Sequence, residues 1–521
     1  MTPKSVNRLR IGIDVGGTNT DAVVMEGRQV LAAVKAPTTS DVTSGIQDAL
    51  ERVIAQAQVS HSQIGHVMIG TTHFTNAIVE RKNLSEVAAI RLGLPAAACL
   101  PPMVDWPTDL RAAIGGHRYM LKGGFEYDGR VLSELDVDGL AEIANDIIKK
   151  GIGAAAITSI FGPVNDDMER RARDILQSLL PGLDIVLSSQ IGRIGLLERE
   201  SAAIMNAALL DLSNSTISAF EGAISTSGLT CGFSITQNDG TLMEADMVRR
   251  YPVMTFASGP TNSLRGATFL TNLRNAIVVD VGGTTSDIGI LAEGFPRQAS
   301  STVDIGGVRT NFRMPDILAI GVGGGSIVAE DGTRVGPVSV GHKIASEAMV
   351  FGGTALTATD VAVGSGVTNI GAPSRVTNLQ PDLLKTALQT IHQQIERGVD
   401  RCRVSADPLP VIAVGGGAFL LPDHLGDLEV IRPENASVAN AVGAAIAQVS
   451  GEVDRIFNLE GATRETALAA AEDEARNRAI QAGAIPQSIE VVEREDVPLA
   501  YLPGNATRIR VRVVGDMEGL L

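Results

Sequence analysis

The sequence of 521 residues exceeds what a single hydrophobic core supports, which predicts two to four domains. Hydrophobic residues make up 44% and charged residues 20%, as in globular proteins, and the formal net charge of −16 argues against nucleic acid or an anionic membrane as a partner. The three cysteines are isolated, and no apolar run has the length of a signal peptide or a membrane-spanning helix. We therefore expect a cytoplasmic protein with reduced thiols and no cysteine-held metal.

The first half of the chain predicts alternating strands and helices. Strand patterns indicate a hairpin over 10–35 and strands over 66–70, 87–92, 154–159 and 185–188. Helical spacing indicates helices over 42–58, 137–150, 166–180 and, as one long apolar element, 196–224. The Pro- and Gly-rich residues 95–135 predict an irregular insertion.

The second half restarts the pattern near residue 230. Strands are predicted over 232–237, 277–291 (two strands), 410–414 and 488–514 (two strands), with helices over 262–271, 380–400, 440–449 and 462–482. These elements predict an N-terminal lobe over 1–228, a second lobe over 229–455 and a small, separate α+β unit over 456–521.

A glycine-rich signature occurs twice, once in each predicted lobe. Asp14-Val-Gly-Gly-Thr and Asp280-Val-Gly-Gly-Thr each follow an apolar run and precede another, which predicts a strand, a tight turn and a second strand. Two matched turns indicate two similar halves that face one polyanion, with backbone N–H groups and a Thr hydroxyl on its phosphates. The residues predicted to bind the nucleotide are Gly16, Gly17, Thr18, Asn19, Thr20, Gly282, Gly283, Thr284, Thr285, Gly323, Gly324, Gly415, Gly416 and Gly417.

Carboxylates at these turns suggest a metal-assisted reaction. Because a carboxylate alone repels phosphate, we expect Asp14 and Asp280 to hold a hydrated Mg²⁺. The residues predicted to be catalytic are Asp14, Asp280, Asp287, Thr18 and Thr284. Asp287 and its counterpart Asp21 either orient the attacking group or bond their own turns, and the residues alone leave both alternatives open.

Longer segments resemble the hydantoinase/oxoprolinase family of the actin/Hsp70/sugar-kinase superfamily. The similar segments are 12–21, Gly70-Thr-Thr-His-Phe-Thr-Asn-Ala77, Ser258-Gly-Pro-Thr-Asn-Ser-Leu-Arg-Gly-Ala267, 280–287, 321–326, 335–337 and 497–506. The run 339–346 lacks a Pro-Gly-Pro-x-Cys-Tyr sequence that is common in long members. The resemblance implies an α/β fold with two actin-like (ribonuclease H-like) lobes around a nucleotide cleft and a small C-terminal α+β unit.

The resemblance also implies an activity. Family members use ATP to open cyclic amides such as hydantoins, 5-oxoproline and lactams, and relatives carboxylate ketones. We therefore expect ATP and Mg²⁺ as cofactors, a cyclic amide substrate and a second subunit that supplies the hydrolytic step in a hetero- or homo-oligomer. Thr72, His73 and Ser258 are the candidate substrate contacts, although His73 equally fits a helix-capping turn with a packed imidazole.

Two other functions remain open. A small-molecule kinase of the same superfamily would phosphorylate a hydroxyl, and it would need a carboxylate base within hydrogen-bond reach. An ATP-driven activator or switch would instead move its lobes and leave the chemistry to a partner enzyme. Glu198, Arg199 and Glu200 precede a helix of small residues, where a solvated helix start is favoured over a role at the substrate.

Overall fold

The computed structural model describes residues 9–17, 19–37, 42–299, 302–312, 314–405, 407–457, 459, 463–499 and 506–517, so Thr18 lies outside the described residues. The strands of the first half are β1 (Leu9–Val15), β2 (Asn19–Glu26), β3 (Gln29–Pro37), β4 (Ile64–Thr71), β5 (Val87–Leu94), β6 (His117–Lys122), β7 (Ala154–Ser159), β8 (Asp184–Leu187), β9 (Gly232–Thr236) and β10 (Thr241–Glu244). Those of the second half are β11 (Ala276–Val281), β12 (Ser286–Ala292), β13 (Phe295–Pro296), β14 (Val303–Ile305), β15 (Val308–Thr310), β16 (Ile317–Ile320), β17 (Ser326–Val328), β18 (Val335–Ser339), β19 (Val411–Val414), β20 (His424–Leu425), β21 (Leu428–Ile431), β22 (Gln448–Phe457), β23 (Glu490–Pro498) and β24 (Thr507–Gly515).

The α-helices alternate with these strands. They are α1 (Val42–Ala57), α2 (His73–Glu80), α3 (Thr108–Ala113), α4 (Val137–Lys150), α5 (Asp167–Leu179), α6 (Leu196–Ala208), α7 (Leu210–Thr226), α8 (Ala245–Arg250), α9 (Ser258–Thr271), α10 (Ile344–Glu347), α11 (Ala358–Gly364), α12 (Pro381–Cys402), α13 (Ala439–Ala445) and α14 (Arg464–Gln481). None of them, over the stretches that the structure describes, is both long and apolar enough to span a bilayer.

Two sheets repeat one topology. In the first sheet, β3, β2 and β1 form an antiparallel meander, and β4 and β9 continue it in parallel with β1. In the second sheet, β13, β12, β11, β19 and β21 follow the same order with the same directions. Each sheet therefore has the strand order of a ribonuclease H-like motif, and the predicted fold of two actin-like lobes is confirmed.

Helices α9 and α13 join the two lobes through close backbone contacts. A Cβ atom built at Gly266 of α9 would lie 1.9 Å from the Ala439 carbonyl oxygen, and one at Gly443 of α13 would lie 1.8 Å from the Asn262 carbonyl oxygen. A Cβ at Gly12 would likewise lie 2.1 Å from the carbonyl oxygen of Ala441. Glycine at these positions lets both helices lie directly against each other and against β1, which brings polar side chains of α9 and α13 to the ends of the strands.

The region after β4 differs from the prediction of an irregular insertion over 95–135. Strands β6, β5, β7 and β8 form a parallel four-stranded sheet, and α4 and α5 pack on it around a separate hydrophobic core. Strand β6 was missed because His117–Lys122 is an edge strand with little apolar alternation. These elements form an inserted α/β subdomain, and residues 95–135 within it are mostly turns and loops apart from α3 and β6, so the prediction is wrong for those two elements.

The long helix predicted over 196–224 is two helices that meet at Leu209. The N–H of Leu209 donates to the carbonyl oxygen of Asn206, three residues back, which tightens and ends the last turn of α6. The Asn206 side chain also binds the Arg250 carbonyl and the Val253 N–H. These tertiary contacts have no signature in the helical periodicity.

The sheets divide the chain differently from the predicted domain limits. Strands β9 and β10 follow residue 228 but belong to the first sheet, and β22, β24 and β23 extend that same sheet. The segment 456–521 has the predicted α+β composition, because α14 covers β22 and β24 with alanines, but it is not separate from the main core. The three domain ranges as a whole stay predictions.

Candidate functional site

The repeated signature forms the same hairpin in both lobes. Asp14 on β1 pairs directly with Asp21 on β2, and the Gly16 N–H donates to the Asn19 carbonyl at 3.0 Å. Asp280 on β11 pairs with Asp287 on β12, and there the Gly282 N–H donates to the Thr285 carbonyl at 2.9 Å. Each hairpin thus places two carboxylates side by side at the end of its strands, just before a glycine-rich turn.

The carboxylates of the two hairpins share one low-dielectric environment. Burial raises the pKa of Asp14 to about 7, with a further contribution from the neighbouring Asp21 carboxylate, while a hydrogen bond from Asn440 opposes the shift. Burial likewise raises the pKa of Asp287 to about 7, and the Asp280 charge adds to it. The pKa of Asp280 is also raised by burial. Ionised carboxylates in this cleft are destabilised until a cation joins them.

Three polar side chains from other elements of the fold hold these carboxylates in place, and the sequence analysis missed all of them. Asn440 on α13 donates from one amide nitrogen to Asp14 Oδ2 at 3.0 Å and to Asp21 Oδ2 at 2.9 Å. Lys35 on β3 places its ammonium 2.6 Å from Asp21, and its charge also lowers the pKa of Asp280. Ser263 on α9 donates to Asp280 Oδ2. The charge cluster therefore depends on both lobes.

The residues present fit a magnesium ion. Asp14 is 4% exposed, and its Oδ1 is buried without a hydrogen-bond partner among the described residues. The Asn262 amide also faces this carboxylate but donates to Thr236 Oγ1 at 3.0 Å. Mg²⁺ prefers one or two carboxylates together with water and phosphate oxygens, so Asp14 and Asp280 would hold it. Over the described residues, no group of three or more His, Cys, Asp or Glu forms a ready-made metal site.

The glycine-rich turn 321–326 supports the second hairpin. The Gly324 N–H donates to the Gly282 carbonyl at 2.9 Å, and the Gly323 N–H donates to Ser326 Oγ at 2.9 Å. A Cβ at Gly323 would lie 2.8 Å from the backbone of Gly282, Gly283 and Thr284. Because both N–H groups are engaged inside the protein, Gly323 and Gly324 shape the hairpin rather than donate to a phosphate. Thr284 and Thr285 are exposed at its tip.

The glycine triplet after β19 lies against the same hairpin. Gly415 has a φ of +86°, and a Cβ there would lie 2.1 Å from Asp280 Oδ1. The Gly417 N–H donates to the Val281 carbonyl at 2.8 Å. Gly416, in contrast, is exposed, and a Cβ there would have no atom within 4 Å. The triplet therefore offers open space at Gly416, next to the carboxylate cluster.

The first hairpin has a similarly open tip. A Cβ at Gly17 would meet no atom within 4 Å, whereas one at Gly16 would lie 3.1 Å from the Asn19 carbonyl oxygen. Asn19 and Thr20 begin β2, and Thr20 is buried. Leaving aside Thr18, which lies outside the described residues, the structure thus brings the predicted nucleotide-binding residues of both lobes to the carboxyl ends of β1, β11 and β19.

The candidate substrate residues lie beside the first hairpin, but two of them already have partners. Ser258 is fully buried and donates to the Thr71 carbonyl at 3.1 Å. His73 Nδ1 lies 2.7 Å from Thr71 Oγ1, and burial lowers the pKa of His73, which keeps the imidazole neutral near pH 7. This contact favours the capping-turn interpretation of His73. Thr72 Oγ1 lies 3.5 Å from the Val15 carbonyl, next to the hairpin.

Comparison with known proteins gives matches over most of the chain. Two family models match in succession: the hydantoinase/oxoprolinase N-terminal region over residues 10–180 and hydantoinase/oxoprolinase over residues 199–372. The acetophenone carboxylase gamma subunit of Aromatoleum aromaticum is 27% identical over 69% of this chain and 53% of its own length. The caprolactamase subunit alpha of Pseudomonas jessenii is 26% identical over 71% of this chain and 56% of its own length.

The solved structures agree on the fold. The crystal structure of the ATP-dependent caprolactamase from Pseudomonas jessenii superposes with a TM-score of 0.77 at 19% identity, covering 97% of this chain and 87% of that chain. The chain spans a little over half the length of the two curated relatives. With consecutive family models that together cover more than half of the sequence, this chain belongs to the hydantoinase/oxoprolinase family.

Proposed function

We propose that this chain is the ATP- and Mg²⁺-dependent subunit of an enzyme that activates a cyclic amide of the hydantoin, 5-oxoproline or lactam type by phosphorylating its carbonyl oxygen. The observation that carries the proposal is the pair of matched hairpins, each with at least one buried carboxylate of raised pKa, in one cleft between two lobes. Acidic groups crowded in this way suit a site that binds a cation and a polyphosphate together.

Different residues of the cleft would bind the phosphates, the metal and the nucleoside. Bound Mg·ATP would supply the phosphoryl group and part of the charge neutralisation. The hairpin tips around Gly17 and Gly283 would hold the phosphates through backbone N–H groups, while Asp14 and Asp280 would hold the metal. The open space at Gly416 would take the nucleoside. Lys35, which already touches Asp21, lies close enough to Asp280 to lower its pKa and would stabilise negative charge in the same cleft.

The proposed chemistry overcomes the low reactivity of an amide. Transfer of a phosphoryl group to the carbonyl oxygen withdraws electrons from the carbonyl carbon. Water can then add to that carbon, and the C–N bond breaks as the nitrogen takes a proton, which opens the ring to an amine and an acyl phosphate. A second water would hydrolyse the acyl phosphate to a carboxylate and inorganic phosphate. Most of the protein's contribution would be positioning and charge stabilisation, as in phosphoryl transfer generally. Asp287, with a pKa of about 7, is the candidate to orient the attacking oxygen.

A ketone is the second candidate substrate, because one relative is named an acetophenone carboxylase subunit. A ketone and an amide present the same carbonyl oxygen to the cleft. Both curated relatives are named as subunits, which supports the proposal that a second polypeptide completes the reaction.

A screen of ATP consumption tests the proposal. The purified chain, with and without the protein encoded beside it, is incubated with Mg·ATP and hydantoins, 5-oxoproline, lactams or ketones. We expect one class to stimulate phosphate release and to give a ring-opened or carboxylated product. A stable phosphorylated alcohol as the product would instead identify a small-molecule kinase. ATP hydrolysis that changes with a partner protein and with none of these compounds would indicate an activator or switch.

A further inference from the structure

A cavity of about 560 Å³ lies where the inserted subdomain, the first sheet and the C-terminal strands meet. One wall is the loop 189–195 between β8 and α6, the floor is the turn 237–239 after β9, and the opposite wall comes from β22, α14 and β24. Its volume falls within the range of small-molecule sites, which is about 300–1,000 Å³.

The loop wall is fixed by a buried arginine and a buried glutamate. Arg199 is fully buried, and its guanidinium donates to the carbonyl oxygens of Arg193 and Ile194 at 2.9 and 2.7 Å. Glu169, also fully buried, accepts from Ser188 Oγ at 2.7 Å and from the Ser189 N–H at 2.9 Å. The expectation of a solvated helix start at 198–200 is therefore wrong for Arg199, and also for Glu200, which is buried and accepts from Arg91 at 2.7 Å. Because a buried guanidinium needs hydrogen-bond partners, the bonds from Arg199 to the loop carbonyls hold this wall in one conformation.

The floor of the cavity follows β9, which lies two strands from β1 and Asp14 in the first sheet. Gln237 and Asn238 follow Thr236, the last residue of β9. A Cβ built at Gly70 would lie 2.6 Å from Asp14 Oδ1 and 3.3 Å from Thr236 Oγ1, so these two oxygens converge beside Gly70. The cavity therefore lies at the same edge of the first sheet as Asp14, beyond the buried Thr236.

The acidic groups of the cavity are neutralised by arginines of β24. Asp454 accepts two hydrogen bonds from Arg508, and Asp239 pairs with Arg512 at 3.1 Å. The lining is then rich in donors. Gln190 Oε1 accepts from the Tyr251 hydroxyl at 3.1 Å, and the Arg193 guanidinium lies on the wall at 3.8 Å from Asp454 with 33% of the side chain exposed. A ligand that presents carbonyl and carboxylate oxygens matches this lining.

We propose that this cavity binds the cyclic amide of the proposed function, on which the inference rests, and that Arg193 receives a carboxylate substituent of that amide. A small ring carrying a carboxylate, such as 5-oxoproline, would then place its ring carbonyl toward the end of β9 and Asp14. Arg193 would act as a specificity-determining residue that separates carboxylated amides from neutral lactams of the same ring size.

Calorimetry in the presence of Mg·ADP tests the assignment with two probes of equal ring size, 5-oxoproline and 2-pyrrolidinone. We expect wild-type protein to bind 5-oxoproline more tightly, and Arg193→Gln to weaken that binding about tenfold or more while leaving 2-pyrrolidinone unchanged. Ile456→Trp, which fills the cavity from β22, should weaken both probes. Arg249→Gln removes an arginine of similar exposure that pairs with Glu221, and it should change neither.

The outcomes separate the cavity from the reaction. Arg193-dependent binding without amide-stimulated ATP hydrolysis would support the cavity and overturn the proposed reaction. Amide-stimulated hydrolysis that is indifferent to both cavity variants would support the reaction and overturn the cavity assignment. Wild-type protein that binds neither probe, or Arg193→Gln protein that loses both equally, would overturn the carboxylate assignment.

Discussion

At the scale of single residues, ionised carboxylates in the cleft destabilise the protein that has no bound ligand. Asp14 and Asp287 have pKa values of about 7, well above the ordinary 3.8, because burial disfavours their charged forms. Only part of the free-energy cost of burying these charges is offset inside the protein, by the hydrogen bonds that Asn440 donates to Asp14 and Ser263 donates to Asp280. A bound cation would offset the remainder, so ligand affinity and stability without ligand should respond in opposite directions to the loss of a carboxylate.

We expect Asp14→Asn and Asp280→Asn to weaken Mg²⁺-dependent ATP binding by about a hundredfold or more, because each removes a metal ligand. Calorimetry with Mg·ATP measures the effect. Since Asp14 becomes protonated as the pH falls through about 7, wild-type affinity should also rise between pH 6 and pH 8. Asp48→Asn, an exposed carboxylate on α1 that pairs with Arg52, is the control. Wild-type affinity in both cleft variants would refute the metal assignment.

Asp14→Asn should also stabilise the protein when no ligand is present. The folded pKa of Asp14 lies above the unfolded value, so its favourable contribution is complete below pH 4 and is lost as the pH rises to about 7. Asp14→Asn removes the buried charge and should raise the free energy of unfolding at pH 8 by up to roughly 4 kcal/mol. Melting temperatures without nucleotide or Mg²⁺ at pH 5 and pH 8 measure this, and a variant that melts below wild type at pH 8 would contradict it.

The sequence predicted the carboxylates but not the side chains that hold them. Asp14 and Asp280 follow from a five-residue signature, Asp-Val-Gly-Gly-Thr, that occurs once in each lobe. Lys35 lies directly opposite Asp21 where β2 pairs with β3, so the register of these two adjacent strands carried a signal for this ion pair. Ser263 and Asn440 reach the cleft only because α9 and α13 lie against each other, and that contact is a property of the whole fold. Only the resemblance of the segment 258–267 to its family carried a signal for Ser263.

At the scale of elements, local sequence patterns predicted the helices and hairpins, whose formation depends on residues that are close together in the chain. The hairpins, α1 and α12 follow from periodicity and glycine-rich turns, and their apolar faces form the predicted buried surfaces. The membership of β9 and β10 in the first sheet was missed, because parallel pairing of β4 with β9 joins segments far apart in sequence. Periodicity gives the face of a strand but not its neighbour.

The turn after β19 gives a prediction at this scale. Gly415 needs its φ of +86° and its close approach to Asp280, whereas Gly416 has open space beside it. We therefore expect Gly416→Val to leave the fold intact and to raise the KM for ATP more than the KM for the amide, because the new side chain would occupy the proposed nucleoside site. Steady-state kinetics measure both constants, and circular dichroism checks the fold.

Gly415→Ala is the informative companion to that variant. Its Cβ would collide with Asp280 Oδ1, so we expect lost stability and lost ATP binding together. A crystal structure with an ATP analogue whose adenosine lies away from residues 415–417 would refute the assignment of the triplet, as would an unchanged KM for ATP in Gly416→Val.

At the scale of the whole molecule, the cleft and the cavity are built from different parts of the chain. The two lobes supply the carboxylate hairpins, the inserted subdomain supplies the loop 189–195, and the C-terminal strands close the far side of the cavity. The unit formed by β22, β23, β24 and α14 is thus more than an appendage, because Arg508 and Arg512 neutralise the acids of the cavity. This arrangement follows from sheet continuity between β10 and β22, which no local pattern in the sequence indicates.

The proposed division of labour between subunits predicts how the isolated chain behaves. Under the proposed function its cleft groups would hold a metal and phosphates, so the chain should bind Mg·ATP on its own. Ser258 and His73 are engaged with Thr71, which leaves neither as an evident group for the hydrolytic step. We expect the isolated chain to give little or no ring-opened product. Adding the proposed partner should restore turnover to an ordinary enzymatic rate, on the order of 1–10³ per second. Co-purification of the two proteins and product analysis by mass spectrometry measure this. An isolated, homogeneous chain that opens a hydantoin or a lactam at such a rate would show that the hydrolytic groups lie within these 521 residues.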